Sequence, residues 1–120
     1  MKTLKTLIKL NKNELDKLLR IIALSEKEKL RLLNRKHQIE EEAKQEIQKY
    51  FTSDYAYMLD HYNEKIRKIV RILDVKVSEI SMYIGKMRQE LGYQYADLKK
   101  FEIALENKQR IEQEKLKKIE

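Results

Sequence analysis

The 120-residue chain has no cysteine, no proline and no tryptophan, and its only glycines are Gly85 and Gly92. The absence of cysteine excludes disulfides, thiolate catalysis and cysteine-ligated metal sites. A chain with so few helix breakers has few turns, and most of its residues are good helix formers. The longest purely apolar run, residues 21–24, is far shorter than the roughly 20 residues that a membrane-spanning helix needs. We therefore expect long helices and no integral membrane protein.

Charged residues make up 39% of the chain and hydrophobic residues 42%. This balance is too apolar for simple disorder, and it is typical of long helices with exposed charged faces. The first ten residues, MKTLKTLIKL, begin like a signal peptide, but Lys5 and Lys9 interrupt the apolar run that a signal peptide requires. We expect this segment to be retained and the protein to be cytoplasmic.

Apolar residues recur at steps of three and four in two long series, which is the signature of amphipathic helices. The first series predicts a helix over about residues 3–50, and the second predicts a helix over about residues 55–118. The first consists of Leu15, Leu18, Ile22, Leu30, Leu33, Ile39, Ala43, Ile47 and Tyr50. The second consists of Tyr55, Leu59, Tyr62, Ile66, Ile69, Leu73, Val77, Ile80, Ile84, Met87, Leu91, Leu98, Phe101 and Leu105. Strict spacing by seven from Val77 to Leu105 indicates a coiled coil.

A short polar break, residues 51–54, separates the two series, and Asp54 is the predicted N-cap of the second helix. Two long helices joined by a short break predict an all-α fold, an antiparallel coiled-coil hairpin that forms a single domain over residues 1–120. Pairing residues whose numbers sum to 105 or 106 sets Leu33 opposite Leu73 and Leu15 opposite Leu91. Four pairs do not fit this register: Lys36 with Ile69, Lys29 with Val77, Glu26 with Ile80, and Asn11 with Tyr95.

In this register the second helix outlasts the first, and residues 105–120 have no partner within the chain. Leu105, Ile111, Leu116 and Ile119 lie in this overhang, which would be about 24 Å long at the rise of a helix. Residues 1–36 carry eleven basic and four acidic side chains, whereas residues 37–48 carry one basic and four acidic. Lys2, Lys5, Lys9 and Lys12 recur on one face and favour an anionic partner.

Five of the nine aromatic residues lie in the stretch YFTSDYAYMLDHY, residues 50–62. Tyr50, Tyr55 and Tyr62 fall on the predicted helix–helix seam. Phe51 and Tyr57 do not, and exposed aromatic residues at a polar turn are typical anchors for a binding partner.

The sequence shows no pattern that predicts catalysis. His37 and His61 are isolated, and neither a glycine-rich phosphate loop nor a nucleophile motif is present. We therefore expect no enzyme activity, no cofactor and no metal site. The basic stretch at residues 64–71 alternates with seam residues and matches no nucleic-acid-binding module, so nucleic acid is not an expected partner.

The stretch KTLKTLIKL at residues 2–10, followed by Leu15-Asp16-Lys17 and Arg20, resembles the N-terminus of the flagellar FliJ family, especially its shorter alphaproteobacterial members. The layout is similar over the whole chain: two long helices, a central break with aromatic residues around it, and a charged tail such as EQEKLKK at residues 112–118.

The resemblance implies a soluble stalk of a type III export ATPase. The paired helix ends would enter the ATPase hexamer and promote its assembly and activity, through Lys5, Lys9, Lys12, Leu105, Ile111, Leu116 and Ile119. Tyr50, Phe51, Tyr55 and Tyr57, near the turn, would contact the membrane export gate. Export chaperones are further implied partners, and the protein would be peripheral to the bacterial inner membrane.

Three alternatives remain. A prefoldin-type chaperone is also a helical hairpin, but it needs β-hairpin sequence between its helices, and YFTSDYAY is too short for that. A generic coiled-coil scaffold would dimerise through the overhang. A basic binder of nucleic acid or of a membrane surface would lose its partner steeply with added salt.

Overall fold

The computed structural model describes residues 2–119, without the side chain of Lys2. Helix α1 spans Lys2–Tyr50 and helix α2 spans Leu59–Ile119, and a 3-10 helix, Ala56–Met58, lies between them. The predicted all-α helical hairpin is confirmed, and the part of the chain that is described contains no strand.

The chain divides into two compact units. The turn unit, Leu24–Ile84, contains the connection between the helices. The end unit, Met1–Ala23 with Gly85–Glu120, contains the beginning of α1 and the later part of α2. Each unit holds an antiparallel portion of both helices, and each has its own set of buried seam residues.

In the turn unit, the core is a cluster of Leu32, Ile39 and Leu73, each less than a tenth exposed. Partly buried Ile66, Val70, Val77 and Ile80 pack against this cluster. Two leucines that were predicted to lie on the seam do not, since Leu30 is 58% exposed and Leu33 is 39% exposed.

The buried residue is Leu32 because the seam of α1 advances strictly by sevens from Leu18 through residues 25 and 32 to Ile39. Ser25 occupies the seam position before Leu32, so the apolar pattern is interrupted there and the neighbouring leucines suggested a false continuation. On α2 the same error occurred at Ile69, which is 43% exposed. Val70, seven residues before Val77, takes the seam position instead.

In the end unit, Leu15 and Leu18 are buried on α1, and Leu91, Leu98 and Phe101 are half-buried on α2. Asn11 is also buried, and its Nδ2 donates a hydrogen bond to Gln94 Oε1 over 2.8 Å. The residue numbers sum to 105, as the predicted register requires. The expected mismatch of Asn11 with Tyr95 was therefore wrong, because the neighbouring Gln94 supplies a polar partner and Tyr95 is half exposed.

The connection between the helices is longer than predicted. After Tyr50 the backbone makes three tight turns, in which Ser53, Ala56 and Met58 donate N–H bonds of 3.0–3.1 Å to carbonyl groups three residues earlier. Helix α2 therefore begins at Leu59 rather than at residue 55. The predicted N-cap role of Asp54 is wrong. Ser53 organises the turn instead: its Oγ donates to the carbonyl of Tyr50 and accepts the N–H of Tyr55.

Candidate partner-binding surfaces

The exposed large apolar residues around the connection form what we call the turn surface. It consists of Phe51, Tyr55, Tyr57 and Met58, which are 69%, 60%, 78% and 53% exposed. They are exposed because residues 51–58 follow tight turns and a short 3-10 helix rather than an α-helix, so their side chains have no helix–helix seam to pack into. Tyr55, which was predicted to lie on the seam, is instead part of this surface.

The aromatic rings at the turn are arranged in a defined geometry. The rings of Tyr50 and Tyr55 lie 6.4 Å apart between centroids and are perpendicular, which is a favourable edge-to-face contact. Lys49 Nζ lies 5.3 Å from the centroid of the Tyr50 ring, within the range of a cation–π interaction. The ring–ring contact joins Tyr50 to Tyr55 although Tyr55 is largely exposed.

A depression of about 450 Å³ opens beside these rings, and we call it the turn cavity. Its walls are mainly apolar, and charged groups come from the last turns of α1 and the first turns of α2. The lining residues are Glu46, Tyr50, Tyr55, Met58, Leu59, His61, Tyr62 and Lys65. A mainly apolar depression with a few charged groups at its border is the usual form of a site that receives a side chain or a small ligand.

The segment that carries the turn cavity is acidic. Residues 37–65, which contain every residue that lines the cavity, carry seven acidic and three basic side chains, a net charge of −4. The chain as a whole has a net charge of +7. The turn therefore differs in sign from the rest of the molecule, and such a local field favours a partner of positive charge.

The end unit presents a different surface. Lys5, Lys9 and Lys12 are all exposed, and none of them lies in an ion pair among the described residues. The ion pairs around Arg31 and Lys36 belong to the turn unit. The three lysines are thus accessible to an anionic partner.

The overhang of α2 begins where α1 no longer covers it. Leu4 is the first half-buried residue of α1, and the register sets it opposite Phe101. Beyond Lys108 every described residue is exposed, including Leu116 at 62% and Ile119 at 82%.

The four apolar residues predicted for the ATPase contact do not share one face. At 3.6 residues per turn, Leu116 and Ile119 continue the face of Leu105, whereas Ile111 lies about a third of a turn away. Lys5 lies near the turn of α2 that contains Phe101, and Leu116 lies about 22 Å further along α2. In the end unit the lysines therefore lie near the start of the overhang. They lie far from Leu116 and Ile119 at the end of the overhang.

The titratable groups with shifted pKa values, Glu28, Arg31 and Lys36, lie on α1, outside both the turn surface and the overhang. Lys36 Nζ lies 2.7 Å from Asp74 Oδ1 and 4.0 Å from Glu40 Oε1. The hydrogen bond to Asp74 raises the pKa of Lys36. Glu28 and Arg31 are joined by hydrogen bonds of 2.6 and 2.9 Å, which lower the pKa of Glu28 and raise the pKa of Arg31.

Residues 2–119 include no set of three histidine, aspartate or glutamate side chains placed to hold a metal ion. Over the same residues, neither helix has a stretch long and apolar enough to cross a membrane.

Comparisons of the chain with protein-family models, with curated proteins and with solved structures find no match.

Sequence reasoning selected Tyr50, Phe51, Tyr55 and Tyr57 at the turn, and the structure places all four within or beside one surface. It missed Glu46 and Lys65, which line the turn cavity from opposite helices. The register contained a signal for this, because residues 46 and 59 sum to 105 and so bring the last turns of α1 against the first turns of α2. The polar character of these residues gave no reason to single them out.

Proposed function

We propose that this protein is a non-enzymatic coiled-coil adaptor of a type III, flagellar-like export apparatus. In this proposal the end unit contacts the export ATPase hexamer and stimulates its assembly or activity, while the turn surface contacts the membrane export gate. Export chaperones are further proposed partners. The protein acts in the bacterial cytoplasm, peripheral to the inner membrane at the apparatus.

One observation carries the proposal: the two units expose surfaces of different chemistry, as a protein that connects two partners requires. The end unit offers unpaired lysines and an apolar overhang that α1 leaves uncovered. The turn unit offers exposed aromatic residues in an acidic segment. Apolar side chains exposed in this number commonly mark a surface that binds another protein. The family resemblance supplies the identity of the partners.

The experiment is a capture of the tagged full-length protein from its native lysate at moderate salt, with mass spectrometry of the bound proteins. Recovery of a hexameric export ATPase supports the proposal. Recovery of the protein alone contradicts it and favours a self-associating scaffold. Recovery of nucleic acid that moderate salt removes also contradicts it, because counterion release makes purely electrostatic binding steeply salt-dependent.

The overhang is tested in the same capture by the double variant Leu116→Asp/Ile119→Asp. Both side chains are exposed, so the fold should be unaffected while the ATPase is lost. The matched control, Ala96→Asp/Asn107→Asp, adds the same two charges to exposed positions of α2 on the side opposite the Leu105 face. Equal ATPase recovery with both double variants would show that the ring contact lies elsewhere.

The turn surface is tested by Phe51→Ala/Tyr57→Ala, with Tyr93→Ala/Tyr95→Ala as control. The control removes two rings that are 59% and 50% exposed on α2 in the end unit. Loss of the export gate with the first pair alone supports the assignment of the turn. Retention of the gate by the turn variant removes the turn from the proposal without affecting the ATPase contact.

A further inference from the structure

We infer that the turn cavity receives an arginine side chain from a basic segment of a protein partner. This inference rests on the proposed role of the turn unit in partner binding, and it specifies the chemistry of that partner. It follows from three properties of the cavity: its aromatic walls, its unpaired carboxylate and the charge of the segment around it.

The aromatic walls suit a cation. Tyr50, Tyr55 and Tyr62 all line the cavity, and the rings of Tyr50 and Tyr55 pack edge to face beside it. The faces of aromatic rings attract cations. Arginine is found over such faces more often than lysine, because its planar guanidinium also stacks on the ring. The position of Lys49 over Tyr50 shows that a ring of this cavity already contacts an ammonium group from its own chain.

Glu46 supplies the counter-charge. It lies on the last turns of α1, it is half-buried, and it forms no ion pair among the described residues. A carboxylate next to aromatic rings can accept two parallel N–H bonds from a guanidinium while the rings cover the face of the guanidinium. A purely apolar side chain would leave this carboxylate beside an apolar group and without a partner, which is unfavourable.

One other charged residue of the lining opposes a cation, namely Lys65. Lys65 comes from α2, whereas Glu46 comes from α1, so the guanidinium is best placed toward the α1 side of the cavity. The segment around the cavity still favours a cation, since residues 37–65, Lys65 included, have a net charge of −4. A partner segment of net positive charge is therefore attracted to the turn, and Lys65 favours an acidic residue beside its arginine.

The test uses the full-length protein and two synthetic peptides, Ac-Gly-Arg-Leu-Gly-NH₂ and its analogue with citrulline in place of arginine. Citrulline keeps the shape of the side chain and removes its charge. Ring signals of Tyr50, Tyr55 and Tyr62 are followed by NMR during titration to millimolar peptide. We expect these signals to shift with the arginine peptide and the affinity to fall about fivefold or more with citrulline.

The matched variants are Glu46→Gln and Glu41→Gln. Both remove one negative charge from α1, but Glu41 is exposed and does not line the cavity. Glu46→Gln should weaken binding of the arginine peptide about fivefold, and Glu41→Gln should leave it nearly unchanged.

Equal shifts with both peptides would overturn the inference and indicate an apolar anchor. Equal effects of the two variants would also overturn it, and so would the absence of any tyrosine shift with the arginine peptide. The capture experiment is read separately. A partner that still requires Phe51 and Tyr57 would leave the proposed function intact while this inference fails.

Discussion

Asn11 on α1 donates a hydrogen bond of 2.8 Å to Gln94 on α2, and this polar pair lies within the apolar seam of the end unit. Asn11 is 93% buried, and its Oδ1 has no hydrogen-bond partner among the described residues. A buried acceptor without a partner costs stability. A polar pair inside a coiled-coil seam also fixes the register, because a slipped pairing would set each amide against an apolar residue.

Replacing both amides by leucine should therefore raise stability and weaken the register. We expect Asn11→Leu/Gln94→Leu to raise the free energy of unfolding by about 1–2 kcal/mol, measured by urea denaturation. The register is measured by disulfide trapping of cysteines introduced at Ile8 and Leu98, which the native register pairs, and at Ile8 and Leu91, which pair only after a one-heptad slip. Trapping of the slipped pair in the leucine variant alone is the expected result. Identical trapping patterns with and without the two amides would contradict a role in register.

Leu32 and Leu33 are adjacent leucines with different surroundings, since Leu32 is 5% exposed and Leu33 is 39% exposed. Leu32→Ala should lower the free energy of unfolding by about 2–3 kcal/mol, because it opens a space in the cluster with Ile39 and Leu73. Leu33→Ala should cost less than about 1 kcal/mol. Thermal denaturation followed by circular dichroism measures both changes. A larger loss of stability for Leu33→Ala than for Leu32→Ala would show that Leu33, not Leu32, lies on the seam.

The Lys36–Asp74 pair predicts a pH dependence. The hydrogen bond to Asp74 raises the pKa of Lys36 above its ordinary value of 10.5. The pair's contribution is therefore fully present below pH 10.5 and is lost as the pH rises through the higher pKa of the folded state. The urea midpoint of the wild type should exceed that of Asp74→Asn at neutral pH, and the difference should shrink by about pH 11.5.

Tyrosine side chains ordinarily have a pKa of about 10. The effect of Lys36 is therefore taken from the difference in urea midpoint between the wild type and the variant at each pH. Asp97→Asn serves as the control, because Asp97 is an exposed aspartate of α2 outside the ion pairs described above. A difference between the wild type and Asp74→Asn that stays constant from neutral to alkaline pH would exclude a contribution from ionised Lys36.

Gly85 and Gly92 lie in the middle of α2, and a Cβ added at either would meet nothing within 4 Å. Glycine inside a helix costs stability relative to alanine, because it loses more backbone freedom on folding. Gly85→Ala and Gly92→Ala should each raise the free energy of unfolding by about 0.5–1 kcal/mol, measured by urea denaturation at low protein concentration. A decrease would mean that another chain covers this face and needs the close approach that glycine allows.

The sequence by itself determined the helices and their pairing. The absence of proline, the two glycines and the seven-residue spacing of α2 left few alternatives to two long helices, and pairing the apolar residues of both helices predicted a register with a sum of 105 or 106. The hydrogen bond between Asn11 and Gln94 obeys that sum. Residues spaced by seven lie along one side of a helix, so the side that faces the partner helix can be predicted from the sequence alone.

Where the sequence offered two adjacent apolar residues, or a polar residue at a seam position, only the tertiary structure decided which side chain is buried between the helices. It chose Leu32 over Leu33 and Val70 over Ile69, because only the residues in strict phase face the other helix. It also lengthened the connection to residue 58, where four-residue turns let backbone N–H groups donate to the carbonyl groups three residues earlier. The turn cavity follows from that geometry, since it joins Glu46 of α1 to Lys65 of α2 around rings whose positions no periodicity specifies.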